Sequence, residues 1–441
     1  MKKIFLLSLG CPRNMLDSEV LLGLLEEKGF AVSEEAEGCD VAIVNTCGFI
    51  QDAKEESINA ILQLAQMKKE GRVGKLLVAG CLSQRYPAQI MEEISEIDGL
   101  FGTSDLADIP GLIDEIYMGE RIRKVSEAPR YLYSGTERRK LLTPSHSVYV
   151  KIQDGCSNMC SYCVIPALKG PHRSRTVSSV MEEVRHIKAG GKVRELILIG
   201  QDTTAFGSTG PGSTGLPELI RGVSGIMEDA WVRLLYTHPA RFTDDLIKAI
   251  AESPNVCKYV DLPVQHINDR ILSAMSRRVT RKDIEGVISR VRSGIPGAAI
   301  RTSVIVGFPG ETDDEFRELM DFIDDTRFEK LGAFIYSREE GTRAYGLKGQ
   351  VPEKVKKERL KEVMLRQQRV SSENNLKYIG KILKVLVDEK DAESGQFIGR
   401  TESDAPEVDG CVFFKGEALQ GEFARVRING TMEYDLTGET V

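Results

Sequence analysis

Only nine cysteines are spread over 441 residues, too few for the disulfide framework of a secreted scaffold. No stretch approaches the ~18 consecutive apolar residues of a membrane-spanning helix, so no membrane partner is expected. The amino-terminal run Ile4–Leu9 in MKKIFLLSLGC is shorter than the usual secretory core of ~7–15 residues, and Pro12, Arg13 and Asn14 follow at once. It reads as a buried strand. Nor is there a strong excess of one charge, with 59 basic against 66 acidic residues. These absences leave a cytoplasmic enzyme of two to four domains as the expectation, with reduced thiols free to bind metal.

Three of those cysteines, Cys156, Cys160 and Cys163, stand together in GCSNMCSYC. Three thiolates on one short loop can ligate three irons of a four-iron cluster and leave the fourth iron open. An open iron can chelate the amino and carboxylate groups of a small molecule. Structural zinc prefers four ligands closing a tetrahedron, and His172 is the nearest candidate for a fourth.

The first hundred residues carry three apolar runs, KKIFLLSLGC, DVAIVNTC and KLLVAGC, each ending in a cysteine. Near-continuous hydrophobic runs mark strands buried on both faces of a parallel sheet. Helical patterns follow: Val20, Leu21, Leu24 and Leu25 after the first, Ile58, Ile61, Leu62 and Ala65 after the second. The alternation predicts a doubly wound α/β domain, whose ligands bind beyond the strand carboxyl ends. Cys11, Cys47 and Cys81 all fall there, which points to a second metal cluster. Buried core thiols are the alternative, and Cys39, Cys257 and Cys411 read as such.

From about Pro144 six strand-helix units predict a partial (β/α)6 barrel. Its strands are Val148–Ile152, Glu195–Ile199, Val232–Tyr236, Tyr259–Leu262, Thr302–Val306 and Ala333–Tyr336. Capping-box patterns at Ser179/Glu182 and Thr312/Glu315 mark helix starts. Sites on such folds gather at strand carboxyl ends, where the cysteine loop follows the first strand. The words IGQDTT, DLPVQHIND and VGFPGET follow the second, fourth and fifth strands. Gly200, Gln201 and Gly307 are therefore candidates for holding a small-molecule cofactor, with glycine as a plain turn residue the alternative.

After a basic helix from Pro352 to about Asn375, short strands with glycine punctuation predict a small β-barrel. Residues 374–441 hold five Lys and three Arg against five Asp and eight Glu. An acidic barrel suits a basic protein partner better than RNA, whose phosphates call for cations. Two basic clusters, Arg121, Arg123, Lys124, Arg138, Arg139 and Lys140, and Lys354, Lys356, Lys357, Arg359 and Lys361, read as solvated faces, with contacts to RNA the alternative.

GCSNMCSYCVIP resembles the signature of the radical S-adenosylmethionine superfamily, Tyr162 included. SLGCPRNMLDSE, NTCGFIQDAKEES and VAGCLSQRY resemble the methylthiotransferase family, and the tail resembles its TRAM domain. SLGCPRN, IGQDTT, DLPVQHINDRIL and GRTESDAPEVDG resemble the branch that modifies an aspartate β-carbon in small-subunit ribosomal protein S-twelve (the RimO type). Gln153-Asp154 departs from that branch, many members of which carry Glu before the glycine. The resemblance spans essentially the whole chain. It implies an auxiliary-cluster domain at 1–120, a linker at 121–142, a radical core at 143–373 and a TRAM-like substrate-binding domain at 374–441. It implies two 4Fe-4S clusters, one on Cys156, Cys160 and Cys163 that cleaves S-adenosylmethionine, and one on Cys11, Cys47 and Cys81 that delivers sulfur. It also places Gln265 and His266 at the active-site mouth, and implies an electron donor such as flavodoxin or ferredoxin. Methylthiolation of adenosine in transfer RNA is the rival activity, and a non-catalytic cluster- or zinc-bearing RNA-binding protein the rival class.

Overall fold

The computed structural model describes residues 2–129, 131–208 and 215–441. Its first unit is a six-stranded, wholly parallel sheet in the order β2-β1-β3-β4-β5-β6. The strands are β1 (Lys3–Ser8), β2 (Ala31–Ser33), β3 (Cys39–Thr46), β4 (Val73–Gly80), β5 (Gly99–Phe101) and β6 (Ile122–Lys124). Alternate residues of β3 and β4 feed two separate cores. Ala42, Val44, Leu76 and Val78 pack beneath the helix Gln51–Lys69 with Ile61 and Leu64. Val41, Ile43, Leu77 and Ala79 pack with Leu21 and Leu25 of the helix Pro12–Glu27 on the other face. Helices on both faces are the doubly wound arrangement, and they explain why these strands read as continuous apolar runs. Ile122–Lys124 was expected to be linker. It instead pairs with β5 in parallel and forms the sheet's last strand, so the sheet continues past residue 120.

The second unit contains the parallel strands β7 (Ser147–Lys151), β10 (Glu195–Ile199), β11 (Trp231–Leu234), β12 (Tyr259–Asp261), β13 (Ala299–Val306) and β14 (Lys330–Ile335). Between them lies a short antiparallel pair, β8 (Gln153–Asp154) with β9 (Arg173–Ser174), which clamps the base of the cysteine loop. Regular pairing runs β11-β10-β7 on one side and β12-β13-β14 on the other. The two halves meet through a parallel bridge between Val232 and Val256. The partial barrel thus has six strands, with its continuity weakest at the middle seam. Thr312 and Glu315 form the expected capping box. At Ser179 the expectation is corrected: the helix Val177–Gly190 starts earlier, capped by Thr176, whose hydroxyl accepts from the Ser179 amide.

The last unit is a closed five-stranded barrel, β15 (Ile382–Lys390), β16 (Phe397–Arg400), β17 (Val412–Lys415), β18 (Phe423–Thr431) and β19 (Leu436–Thr440). Val385, Val387, Phe397, Phe414, Val426 and Ile428 fill it.

Of the tail's acids, Asp404 and Asp409 turn inward and are not free to dock a basic protein, while Glu389, Glu393, Glu407, Glu417, Glu433 and Glu439 are exposed. Lys330 at the start of β14 donates to Asp404, and Tyr259 at the start of β12 donates to Asp409 at 2.6 Å. Arg400 reaches Glu195 at 2.8 Å, and Glu195 in turn holds Arg233 at 2.7 Å. Glu407 stays exposed. The small barrel is therefore plugged into the amino-terminal end of the larger one, opposite the cysteine loop. The basic clusters are similarly reassigned in part. Arg139 is buried between Glu19 and Glu183 at 2.6 and 2.7 Å, and Arg359 is buried against Glu311 at 2.7 Å.

Candidate active site

Because β1, β3 and β4 are adjacent and parallel, their carboxyl ends lie side by side, and each continues into a cysteine. Cys11 precedes the helix Pro12–Glu27, Cys47 follows β3, and Cys81 opens the short helix Cys81–Arg85. Two glycines allow the three loops to crowd together. Gly10 has φ +87°, and a Cβ there would stand 2.7 Å from the Cys47 Cβ. A Cβ on Gly48 would stand 2.9 Å from the Leu82 amide nitrogen. Asn14, one turn into the first helix, ties the ends together by donating to the Leu9 carbonyl at 2.7 Å, while Asn45 donates to the Asn14 carbonyl at 3.0 Å.

The second thiol set sits on the loop after β8. The Cys156 amide donates to the Gly170 carbonyl at 3.1 Å, and the Cys163 amide to the Cys160 carbonyl at 3.1 Å. Ser161 links the loop to the helix Asp269–Ala274 and to the segment after β14, through Met275 (2.9 Å) and Ala344 (2.8 Å). Asn158 donates to Asp202 at 2.8 Å, and Arg241 also binds Asp202. Arg277, buried, brings its Nη1 to 3.9 Å from the Cys160 sulfur. Tyr162 packs with Met275, Phe308 and Tyr336.

The two sets open onto one interface, with Arg13 and Lys169 between them. Burial pushes the Cys81 thiol up to about 12, an effect Lys169 opposes. Burial acts on Cys11 in the same sense, but Arg13, the Asn14 amide and Lys169 together hold that thiol below its ordinary value. Arg13 also acts on Cys163, which burial raises to about 12. Its guanidinium lies 4.4 Å from the Tyr236 ring centre and donates to the Gly200 carbonyl at 3.1 Å. Lys169 donates to Asp17 at 3.0 Å, and Lys151 binds the same carboxylate. Beyond β14, Glu339 accepts Lys54 at 2.9 Å and Arg85 at 2.7 Å, closing the parallel sheet over the barrel mouth.

Among the described residues, no three His, Cys, Asp or Glu side chains are spaced to hold a single metal ion. His172, whose Nε2 is 2.9 Å from the Ser174 hydroxyl, is not grouped with the three thiols among the described residues. Each set thus offers thiols alone, the donor type of iron–sulfur clusters.

The other sequence candidates are placed unevenly. Gln201 donates to Asp154 at 2.9 Å, beside the cysteine loop. Gln265 holds φ +71° and bridges to Val304. At Gly200 the space of a side chain is taken by Gln153, 2.3 Å from a hypothetical Cβ, and at Gly307 by Lys356, also 2.3 Å away. His266 does not face the mouth as expected. It is fully buried, its Nδ1 accepts from the Asn268 amide at 3.0 Å, and burial holds its pKa near about 3. Arg13, Asn14, Lys169, Asp202 and Arg277 were not singled out from sequence. Their only signal there was proximity to a cysteine or a strand end.

This partial barrel with a three-thiol loop at its strand carboxyl ends defines a radical S-adenosylmethionine enzyme, and residues 150–323 match the radical SAM superfamily. Residues 3–102 match the uncharacterized protein family UPF0004, and residues 379–441 the TRAM domain. The chain is 48% identical to a protein of Pelotomaculum thermopropionicum named ribosomal protein uS12 methylthiotransferase RimO, covering 100% of this chain and 99% of that one. It is 44% identical to the protein of that name from Geobacter sulfurreducens, with the same coverage. The chain belongs to the RimO family of radical S-adenosylmethionine methylthiotransferases. Among solved structures, the radical S-adenosylmethionine methyltransferase TsrM from Kitasatospora setae shares the fold. Its TM-score is 0.59 at 17% identity, over 78% of this chain and 77% of that one.

Proposed function

We propose that this chain replaces a hydrogen on the β-carbon of an aspartate in ribosomal protein uS12 with a methylthio group. The observation that carries the reading is the convergence of two three-thiol sets on one interface, in a chain matched along its whole length by relatives named for this activity. Cys156, Cys160 and Cys163 would hold one 4Fe-4S cluster, and Cys11, Cys47 and Cys81 the other. When bound, the clusters and S-adenosylmethionine supply one-electron cleavage to activate carbon, and a sulfur to transfer.

The protein's own work is positional. Arg277, with Nη1 3.9 Å from the Cys160 sulfur and Nη2 on the Pro263 carbonyl, fixes the position of that thiol. Asn158 and Arg241, sharing Asp202, anchor the cysteine loop to the second strand end. Tyr162, Gln201 and Gln265, with the backbones of Gly200 and Gly307, would border S-adenosylmethionine. Lys54 and Arg85 on Glu339 hold the sheet domain over the mouth, which keeps water from a radical site. The division expected at 1–120, 121–142, 143–373 and 374–441, with the first unit extended through Lys124, would assign the sulfur-delivering cluster, the linker, the radical core and substrate binding. A flavodoxin or ferredoxin would donate electrons, and the reaction would take place in the cytoplasm. No helix among the described residues is long and apolar enough to cross a membrane.

The test is mass spectrometry of uS12 after anaerobic incubation with reconstituted enzyme, S-adenosylmethionine, sulfide and reductant. A methylthio group on one aspartate is expected. Modification of a transfer RNA anticodon arm with uS12 untouched would overturn the reading.

A further inference from the structure

Burying a cation without a counter-charge is costly, and proteins pair such groups. Here Lys151, Lys169, Arg175, Arg233, Lys356, Arg359 and Arg400, all buried, each lie within ion-pair distance of a carboxylate, while buried Arg277 lies instead against the Cys160 sulfur and the Pro263 carbonyl. Arg13 is only partly exposed, and it forms no ion pair among the described residues. What holds it is a carbonyl oxygen, an aromatic face and a thiol. It donates to Gly200 at the end of β10, lies 4.4 Å from the ring of Tyr236 just past β11, and adjoins Cys11. These contacts fix the guanidinium at the barrel mouth. They leave most of its five N–H donors without a protein acceptor.

Its position is the second observation. Arg13 acts on thiols of both sets, Cys11 and Cys47 on one side and Cys163 on the other. A carbon that is activated by one set and receives sulfur from the other must pass between them. We propose that Arg13 is the receptor for the target aspartate's side-chain carboxylate, binding it through the guanidinium edge and so presenting the adjacent β-carbon to the site. The inference rests on uS12 being the substrate. A planar fork suits a carboxylate, which accepts two parallel N–H bonds, whereas a neutral amide or an adenine offers no charge to neutralise. The stacked Tyr236 ring keeps the fork from rotating away. Tyr236 itself adopts φ +63°, a backbone conformation uncommon for a bulky residue and one that sets the ring's direction.

The experiment measures binding of uS12, and of uS12 with its target aspartate changed to asparagine, to anaerobically reconstituted wild-type and Arg13→Gln enzymes of verified iron content. Wild type should bind the aspartate form on the order of ten- to a hundredfold more tightly than the asparagine form. Arg13→Gln should bind both equally, and Arg13→Lys should recover part of the difference because it restores charge without the fork. A preference undiminished in Arg13→Gln would overturn the proposal. So would a shifted cluster reduction potential accompanied by intact discrimination, since that would make Arg13 a counter-charge for the thiolates alone. If wild type neither binds nor modifies uS12, the functional reading falls, and that outcome is separate from either result with the variant.

Discussion

Lys169, at the end of the short helix that follows the barrel's cysteine loop, donates to Asp17 of the sheet domain's first helix at 3.0 Å, with both side chains buried. Lys151 of β7 binds the same carboxylate, and Asp154 lies 3.6 Å from Lys151. One carboxylate of the first domain thus neutralises two lysines of the second, directly below the cleft where the thiols meet.

Asp17→Ala should therefore leave two buried ammonium groups short of a partner. The expected cost is about 3–5 kcal/mol, concentrated at the domain interface. Denaturant unfolding should show a lower midpoint, and the segment 121–142 should become accessible to protease. An unchanged midpoint would show that Asp154 alone suffices for both lysines.

The two thiol sets should be separable. Cys160→Ala should abolish S-adenosylmethionine cleavage while retaining about half the iron of the wild type, because three thiolates leave no spare ligand. Cys47→Ala should also keep about half the iron but continue to form deoxyadenosine without product. Iron analysis beside chromatography of the cleavage products reads both. Equal loss of cleavage would argue against two independent sites.

The tail carboxylates should divide by what they face. Asp409→Ala removes the acceptor of Tyr259 and a neighbour of Arg301 at 3.6 Å, and should destabilise by about 3–5 kcal/mol. Glu407→Lys, on the exposed turn, should change stability by no more than about 0.5 kcal/mol. Thermal unfolding of the two variants makes the comparison.

His266 should make stability depend on pH in one direction. The folded chain holds it neutral down to about 3, while an unfolded histidine takes up a proton near 6.5. Its contribution is full above pH 6.5 and is lost as pH falls toward 3, at up to about 1.4 kcal/mol per unit. Glu315 favours the charged form, while burial first and then Arg359 and Arg270 oppose it; the Glu311 Oε2 lies 3.9 Å from Nε2. Relative to wild type, His266→Gln should regain about 1 kcal/mol on going from pH 7 to 5.5. Parallel stability curves for the two proteins would sink this.

Much of the architecture was legible because it is written in short-range pattern. The apolar runs at Val41–Val44 and Leu76–Ala79 announced strands buried on both faces, and Thr312 with Glu315 announced a helix start. Short strands with little apolar content were not legible. Ile122–Lys124 carries one apolar residue between two arginines and looks like linker until β5 is beside it. Thr176 capped its helix although Ser179 had the better sequence pattern, because the cap depends on where the preceding strand releases the chain.

The amino-acid sequence by itself determined the chemistry: two sets of three thiols, each at a strand carboxyl end. Ligand identity and spacing there are local, and strand-helix alternation brings successive ends together. Only the tertiary structure decided what the charges do. Lys330 and Asp404 are 74 positions apart, and Arg85 and Glu339 are 254 apart. No composition count distinguishes such partners from solvated side chains. Two carboxylates of the acidic tail, Asp404 and Asp409, proved to be an internal clamp, and Arg13 acquired its meaning only when two domains placed it between the thiols. A charge's free energy is set by its burial and its neighbours, and both are properties of the fold.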